Sequence, residues 1–150
     1  MTAWRSALAC DPERIHMLRQ VDPNNEELAT LALEVRPDTA EVWFWNGDLR
    51  PDMRADYYKT GLNLDPSDGK RWILLGTMLE HIDPEQAMQA FLQGCYNGDP
   101  GVNGCVNAGR IAEKLGDTQT AIRYYRLSQW EKSQQKADEL ERQIINQANP

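Results

Sequence analysis

Five positions of this chain return one period downstream, at a spacing of 33 or 34 residues. Trp72, Leu75, Gly76, Ala87 and Phe91 recur as Cys105, Ala108, Gly109, Ala121 and Tyr125. Self-similarity at this period, with small residues at fixed places, marks stacked helical hairpins, none of which buries its apolar face alone. No run alternates apolar and polar residues with β-branched enrichment, so no strand is expected. The chain reads as an α-solenoid that holds other molecules.

Packing explains the pattern. Gly47, Gly76 and Gly109 fall mid-helix, where Gly costs roughly 1 kcal/mol against Ala. That choice makes sense where a neighbouring helix approaches closely. Trp43, Trp72, Tyr58, Phe91 and Tyr125 then fill the space between helices, as core rather than as ligand-binding residues. The punctuation recurs as well. Asp11-Pro12, Asp22-Pro23, Arg36-Pro37, Asp65-Pro66, Asp83-Pro84 and Asp99-Pro100 mark the chain. Asp before Pro suits a helix start, with Asp capping free N–H groups and Pro tolerated at the first helical position. Gly116 is placed to end one helix in the left-handed conformation, and Asp117 to start the next.

The segment from Cys105 to Ser128, CVNAGRIAEKLGDTQTAIRYYRLS, resembles the tetratricopeptide repeat. The matching residues are Cys105, Ala108, Gly109, Ala112, Gly116, Asp117, Ala121, Tyr125 and Ser128. The preceding unit supplies Trp72, Leu75, Gly76, Leu79, Ala87, Phe91 and Gly94. An earlier, shorter unit supplies Trp43, Gly47, Tyr58, Gly61, Asp65 and Pro66. The resemblance is closest over 65–128 and fades toward the N-terminus. It implies a right-handed α-solenoid of antiparallel helical hairpins in an all-α chain, with a long C-terminal capping helix. One domain over 1–150 is expected: degenerate helices to 37, a shortened repeat over 38–66, repeats over 67–100 and 101–128, and a C-terminal helix over 129–150.

The spacing departs from the family in the first half. The interval from Pro12 to Pro37 is the shortest, that from Pro37 to Pro66 is longer, and only that from Pro66 to Pro100 reaches the full period. The hairpin from Thr39 to Leu64 lacks about a turn of its first helix, and Arg50-Pro51-Asp52 bends the chain early. Helices are expected at about 3–10, 13–21, 25–35, 39–47, 53–63, 68–81, 84–96, 102–115 and 118–146, the last running on from Ala121 without Gly or Pro until Pro150. Ala3 to Pro12 reads as the last turns of a second repeat helix. A solenoid that begins there has an uncovered apolar face, so the expectation is a piece of a longer protein or an atypical N-cap.

Charge and cysteine usage narrow the partner classes. Net charge is -7 and the pI is about 4.8, with Lys and Arg scattered, which argues against nucleic acid as the main partner. A basic or mixed-charge polypeptide fits better. No run approaches the roughly 18 apolar residues of a membrane helix, so no direct membrane insertion is expected. No basic region followed by an apolar run opens the chain. A cytoplasmic setting is favoured if this is the full chain. Cys10, Cys95 and Cys105 form no metal spacing with His16 or His81. Cys95 and Cys105 can approach one another, with buried thiols favoured over a disulfide.

Catalytic sets are absent from the sequence: no HExxH, GxSxG, phosphate-binding loop or calcium loop. No catalytic residue, metal or cofactor is therefore expected. The tetratricopeptide resemblance implies instead that the first helix of each hairpin lines a concave surface for a peptide. By position this points to Phe44, Trp45 and Asp48, then Lys70, Leu74, Thr77 and His81, then Asn103, Asn107, Arg110 and Lys114. Asn107 and Arg110 lie three apart and share a helix face, where they can bond a peptide backbone or carboxylate. The carboxylate clamp of chaperone-binding members is missing as a set, since Leu74 and Val106 stand where cations are expected. Trp43, Phe44 and Trp45 cannot all face one core stripe. Trp43 matches the packing position, and burial of both others in the shortened hairpin competes with a role as groove anchors.

The expected function is that of a non-catalytic protein–protein interaction or scaffold module that binds a peptide or protein segment on its concave face. Two alternatives stand beside it. One is a soluble appendage of a larger enzyme or envelope assembly, membrane-bound or not. The other is a homodimer built through the C-terminal helix, with Ile144 and Ile145 at the contact.

Overall fold

The computed structural model describes residues 13–98 and 103–148, the side chain of Asn103 excepted. The helix expected over 3–10 and Cys10 lie outside the described residues. Within them the chain is all-α, as expected, and no strand forms. The helices are α1 (Glu13–Val21), α2 (Glu26–Val35), α3 (Ala40–Leu49), α4 (Arg54–Leu64), α5 (Gly69–Leu79), α6 (Pro84–Asn97), α7 (Asn103–Lys114), α8 (Thr118–Leu127) and α9 (Glu131–Ala148). A 3₁₀ turn, Pro51–Met53, leads into α4. There Pro lacks the N–H that a continued helix would need.

The chain divides into two compact units, 1–66 and 67–150, at the Asp65-Pro66 turn. In the first, Ile15, Ala29, Leu31, Ala32, Val42 and Trp45 form the core, with Trp43 and Leu49 packed against it. In the second, Ala87, Phe91, Ala108, Ile111, Ala112, Ala121, Ile122, Tyr125, Ala137 and Leu140 are among the core residues, so α9 closes the unit with its own apolar stripe. Burying a side chain the size of Phe91 is worth about 2–3 kcal/mol.

The hairpins α3–α4, α5–α6 and α7–α8 are locked in the same way. A Cβ placed on Gly47 would stand 2.8 Å from the Tyr58 ring, one on Gly76 2.8 Å from the Phe91 ring, and one on Gly109 2.9 Å from the Tyr125 ring. The glycine is therefore selected by the aromatic of the facing helix. In the second hairpin Gly98 meets Gly69, Gly94 meets Ile73 and Phe91 meets Gly76. Partner numbers fall as the first number rises, which makes α5 and α6 antiparallel.

The punctuation is only partly as read from the sequence. Asp83 caps α6 through Gln86 N–H, with Pro84 in the first helical turn. Asp117 caps α8 through Thr120 N–H, and Gly116 is left-handed at φ 80°. At the two earlier sites the cap lies further on. Asn25 accepts from Leu28 N–H and Asp68 from Arg71 N–H, while the Asp65 N–H bonds back to Gly61 O and closes α4. There the Asp-Pro pair ends one helix and a later polar residue starts the next.

Two further expectations are corrected. The helix expected over 118–146 breaks between Leu127 and Glu131. Ser128 takes an extended conformation (φ -73°, ψ 136°), and its buried hydroxyl accepts from Trp130 N–H at 3.2 Å. The Gln134 amide then donates to the carbonyls of Arg126 and Ser128, serving the open end of α8. A Ser that captures a nearby backbone N–H competes with helix, so neither Gly nor Pro is needed for the break. The second correction is at Cys95 and Cys105, which are joined as a disulfide with Cα atoms 5.1 Å apart, rather than held as separate thiols.

Candidate functional site

The positions drawn from the repeat divide between the two units. In the first unit, Phe44 and Trp45 are core: Phe44 is 3% exposed and Trp45 0%. Phe44 stands edge-on to Tyr58, with ring centroids 6.1 Å apart. The Trp45 indole N–H donates to Pro23 O at 2.8 Å. They are not groove residues, which corrects their place among the candidates. The shortened hairpin and the helix before it supply enough apolar surface to cover both rings. Asp48 stays at the surface, but its carboxylate accepts from Arg19 and from the Tyr58 hydroxyl. Arg19 also donates to Glu41, so Asp48 works as a tie between α1, α3 and α4.

In the second unit the candidates form two matched stripes. Lys70, Leu74, Thr77 and His81 run along α5 into the turn that follows it, and all four are at least partly exposed. Leu74 is 51% exposed. Steps of four, three and four keep them on one helix face. Asn103, Asn107, Arg110 and Lys114 repeat those steps on α7, each one repeat period after its counterpart. Of the α7 set, Asn107 and Arg110 are half-buried, and the Lys114 side chain is 56% exposed. The Thr77 hydroxyl donates back to Ile73 O at 2.9 Å, leaving its lone pairs outward.

Glu80, which sequence reading did not single out, organises this face. Arg110 grips its carboxylate with two hydrogen bonds of 2.6 Å each, and Lys114 adds a third at 2.8 Å. Glu80 is only 13% exposed in its side chain. The bonds from Arg110, then from Lys114, hold its pKa down at about 2, against burial acting the other way. Arg110 is correspondingly raised, chiefly by the same hydrogen bond, and also touches Asn107 Oδ1 at 3.4 Å. The arrangement repeats one period on. Glu113 accepts from the Tyr125 hydroxyl at 3.1 Å and pairs with Lys136 of α9 at 3.2 Å. Burial first, and Glu113 second, push the Tyr125 phenol up to about 12. A carboxylate at matching positions 80 and 113 thus reaches a cation on the first helix of the following element. The signal was available in the sequence as Glu at the same place in two successive repeats, with Arg110 and Lys114 about one period after Glu80.

This face presents amide and cationic donors beside an exposed leucine. Among the described residues no group of three His, Cys, Asp or Glu side chains could hold a metal ion, and no helix is long and apolar enough to cross a membrane. On α9, Ile144 packs against the unit's own core, while Ile145 lines a surface cavity of about 250 Å³ with Gln119, Ile122, Glu141 and Ile144.

No protein-family profile matches the chain, and no curated protein does. Solved structures do match its fold. One titled "Crystal structure of MamA" has a TM-score of 0.59 at 17% identity, over 97% of this chain and 88% of that one. Another, titled "Crystal structure of MamA protein", has a TM-score of 0.57 at 16% identity, over 85% of this chain and 72% of that one. At this identity the likeness concerns the fold alone, an all-helical, tetratricopeptide-like arrangement of hairpins.

Proposed function

We propose that this protein is a non-catalytic interaction module that captures a segment of another protein on the face made by α5 and α7. The observation that carries the reading is the pair of stripes in matched register, Lys70-Leu74-Thr77-His81 and Asn103-Asn107-Arg110-Lys114. An exposed leucine amid hydrogen-bond donors is the composition of a peptide-binding surface, where an apolar anchor gives energy and polar groups fix register. The stacked-hairpin fold supports the reading, because such folds use the first helices of their repeats to line extended binding surfaces.

The local charge refines the partner class. The whole chain is acidic, yet this face carries Lys70, Arg110 and Lys114 against Glu80. The segment that fits is therefore acidic or mixed in charge with an apolar side chain for Leu74, rather than basic. Such a segment meets the outward edge of Arg110 and Lys114 without displacing Glu80.

The test is selection of binders from a random peptide library, followed by titration against variants. Leu74→Asp, Asn107→Ala and Lys70→Glu are each expected to weaken a selected peptide about tenfold or more, the scale of one interface anchor. Gln89→Ala, an exposed position of α6, is expected to bind as the parent does. Selected peptides that ignore all three substitutions would place recognition elsewhere on the protein.

A further inference from the structure

The start of α7 departs from the start of α5. Where α5 has Trp72, α7 has Cys105, one period later. The backbone uses the room this leaves. A Cβ on the neighbouring Gly104 would stand 2.6 Å from Phe91 O of α6, so the first turn of α7 lies directly on the last turns of α6. Cys105 there faces Cys95, near the end of α6. Their Cα atoms are 5.1 Å apart, inside the window that a disulfide spans without backbone movement. Both are buried, at 8% for Cys95 and 2% for Cys105. At this point a covalent bond ties the first turn of α7 to α6.

We propose that the Cys95–Cys105 pair is a reversible redox clamp that fixes the first turns of α7 to α6. The oxidant is a low-molecular-weight disulfide such as glutathione disulfide. One cysteine, as thiolate, attacks it, forming a mixed disulfide and releasing one small thiol. The other cysteine, also losing its proton, attacks the protein sulfur of that mixed disulfide, closes the Cys95–Cys105 bond and releases the second small thiol. Two protein thiols are oxidised and one small disulfide is reduced to two thiols. An excess of small thiol runs the exchange backwards. Burial of both sulfurs means that exchange requires the first turn of α7 to open, so the clamp responds slowly and holds once closed. The proposal stands apart from peptide capture, since it concerns the bond and the order of α7 alone.

The test uses the purified chain equilibrated in glutathione disulfide or in a reducing thiol. After denaturation and alkylation, intact mass is expected to show one labelled cysteine in the oxidised sample and three in the reduced one, with peptide mapping placing the link at 95–105. The oxidised protein should melt about 10 °C higher than the reduced one, from the loop the bond closes in a unit of this size. That difference should vanish in Cys95→Ala and in Cys105→Val. Hydrogen exchange at 104–108 should be at least about tenfold slower when oxidised, while α8 is unchanged. Three labelled cysteines in the oxidised sample, or a bond through Cys10, would overturn the proposal. So would identical melting of the two wild-type samples, a comparison that needs no variant to fold.

Discussion

Glycines 47, 76 and 109 each lie under an aromatic ring of the facing helix, and that contact decides the residue. At Gly76 a methyl group would stand 2.8 Å from the Phe91 ring, and Phe91 is fully buried with nowhere to move. Gly76→Ala should gain about 1 kcal/mol in helix propensity and lose more to overpacking, for a net destabilisation of about 1–2 kcal/mol. Paired with Phe91→Leu, the second change should cost less than it does alone, and a double-mutant cycle in urea would read the coupling. Additivity would contradict the lock. These residues were legible in the sequence because small and aromatic positions repeat. Phe44 and Trp45 were less so. Three adjacent aromatics declare that they cannot share one face, but whether the others meet solvent depends on the covering helices. The Trp45 bond to Pro23 O ties α3 to the turn between α1 and α2, 22 residues away in the chain, and no local pattern encodes it.

Between elements, carboxylates placed one period apart act as staples. Glu80 joins the end of α5 to Arg110 and Lys114 of α7, and Glu113 joins α7 to Lys136 of α9. Because the folded Glu80 carboxyl is held at about 2, below its usual value of 4.5, its contribution is present in full above pH 4.5. It is lost as pH falls toward 2. Glu80→Gln should therefore lower stability by about 1 kcal/mol at pH 7. It should also flatten the fall in stability between pH 4.5 and 2, measured by urea unfolding across that range. An acid profile identical to the parent's would remove the staple from the account. Helix positions followed from spacing and punctuation, and the observed bounds of α1 to α7 lie close to those expected. The junction of α8 and α9 was not legible, because the break depends on what Ser128 and Gln134 bond to rather than on a breaking residue. The Asp-Pro pairs misled for a related reason: the same two residues can close a helix or open one, and the bond made by the neighbouring N–H chooses.

The molecule is built from repeated helical hairpins, and its second unit carries two exposed stripes in matched register on α5 and α7. The fold was legible because the period is written into the residues that pack. The candidate site was legible only as a pair of stripes, since the repeat specifies which side of a helix faces outward and nothing about a ligand. Glu80 went unread for the same reason, as its role appears only when α5 and α7 are brought side by side. Peptide capture on α5 and α7 is tested by mapping backbone amide shifts, by nuclear magnetic resonance, as a library-selected peptide is titrated into the labelled protein. The largest shifts are expected at Lys70, Leu74, Thr77 and His81, together with Asn103, Asn107, Arg110 and Lys114, while the outward residues of α6 and α8 stay unmoved. Shifts gathered on α9 or on the first unit, with α5 and α7 silent, would contradict capture on that face.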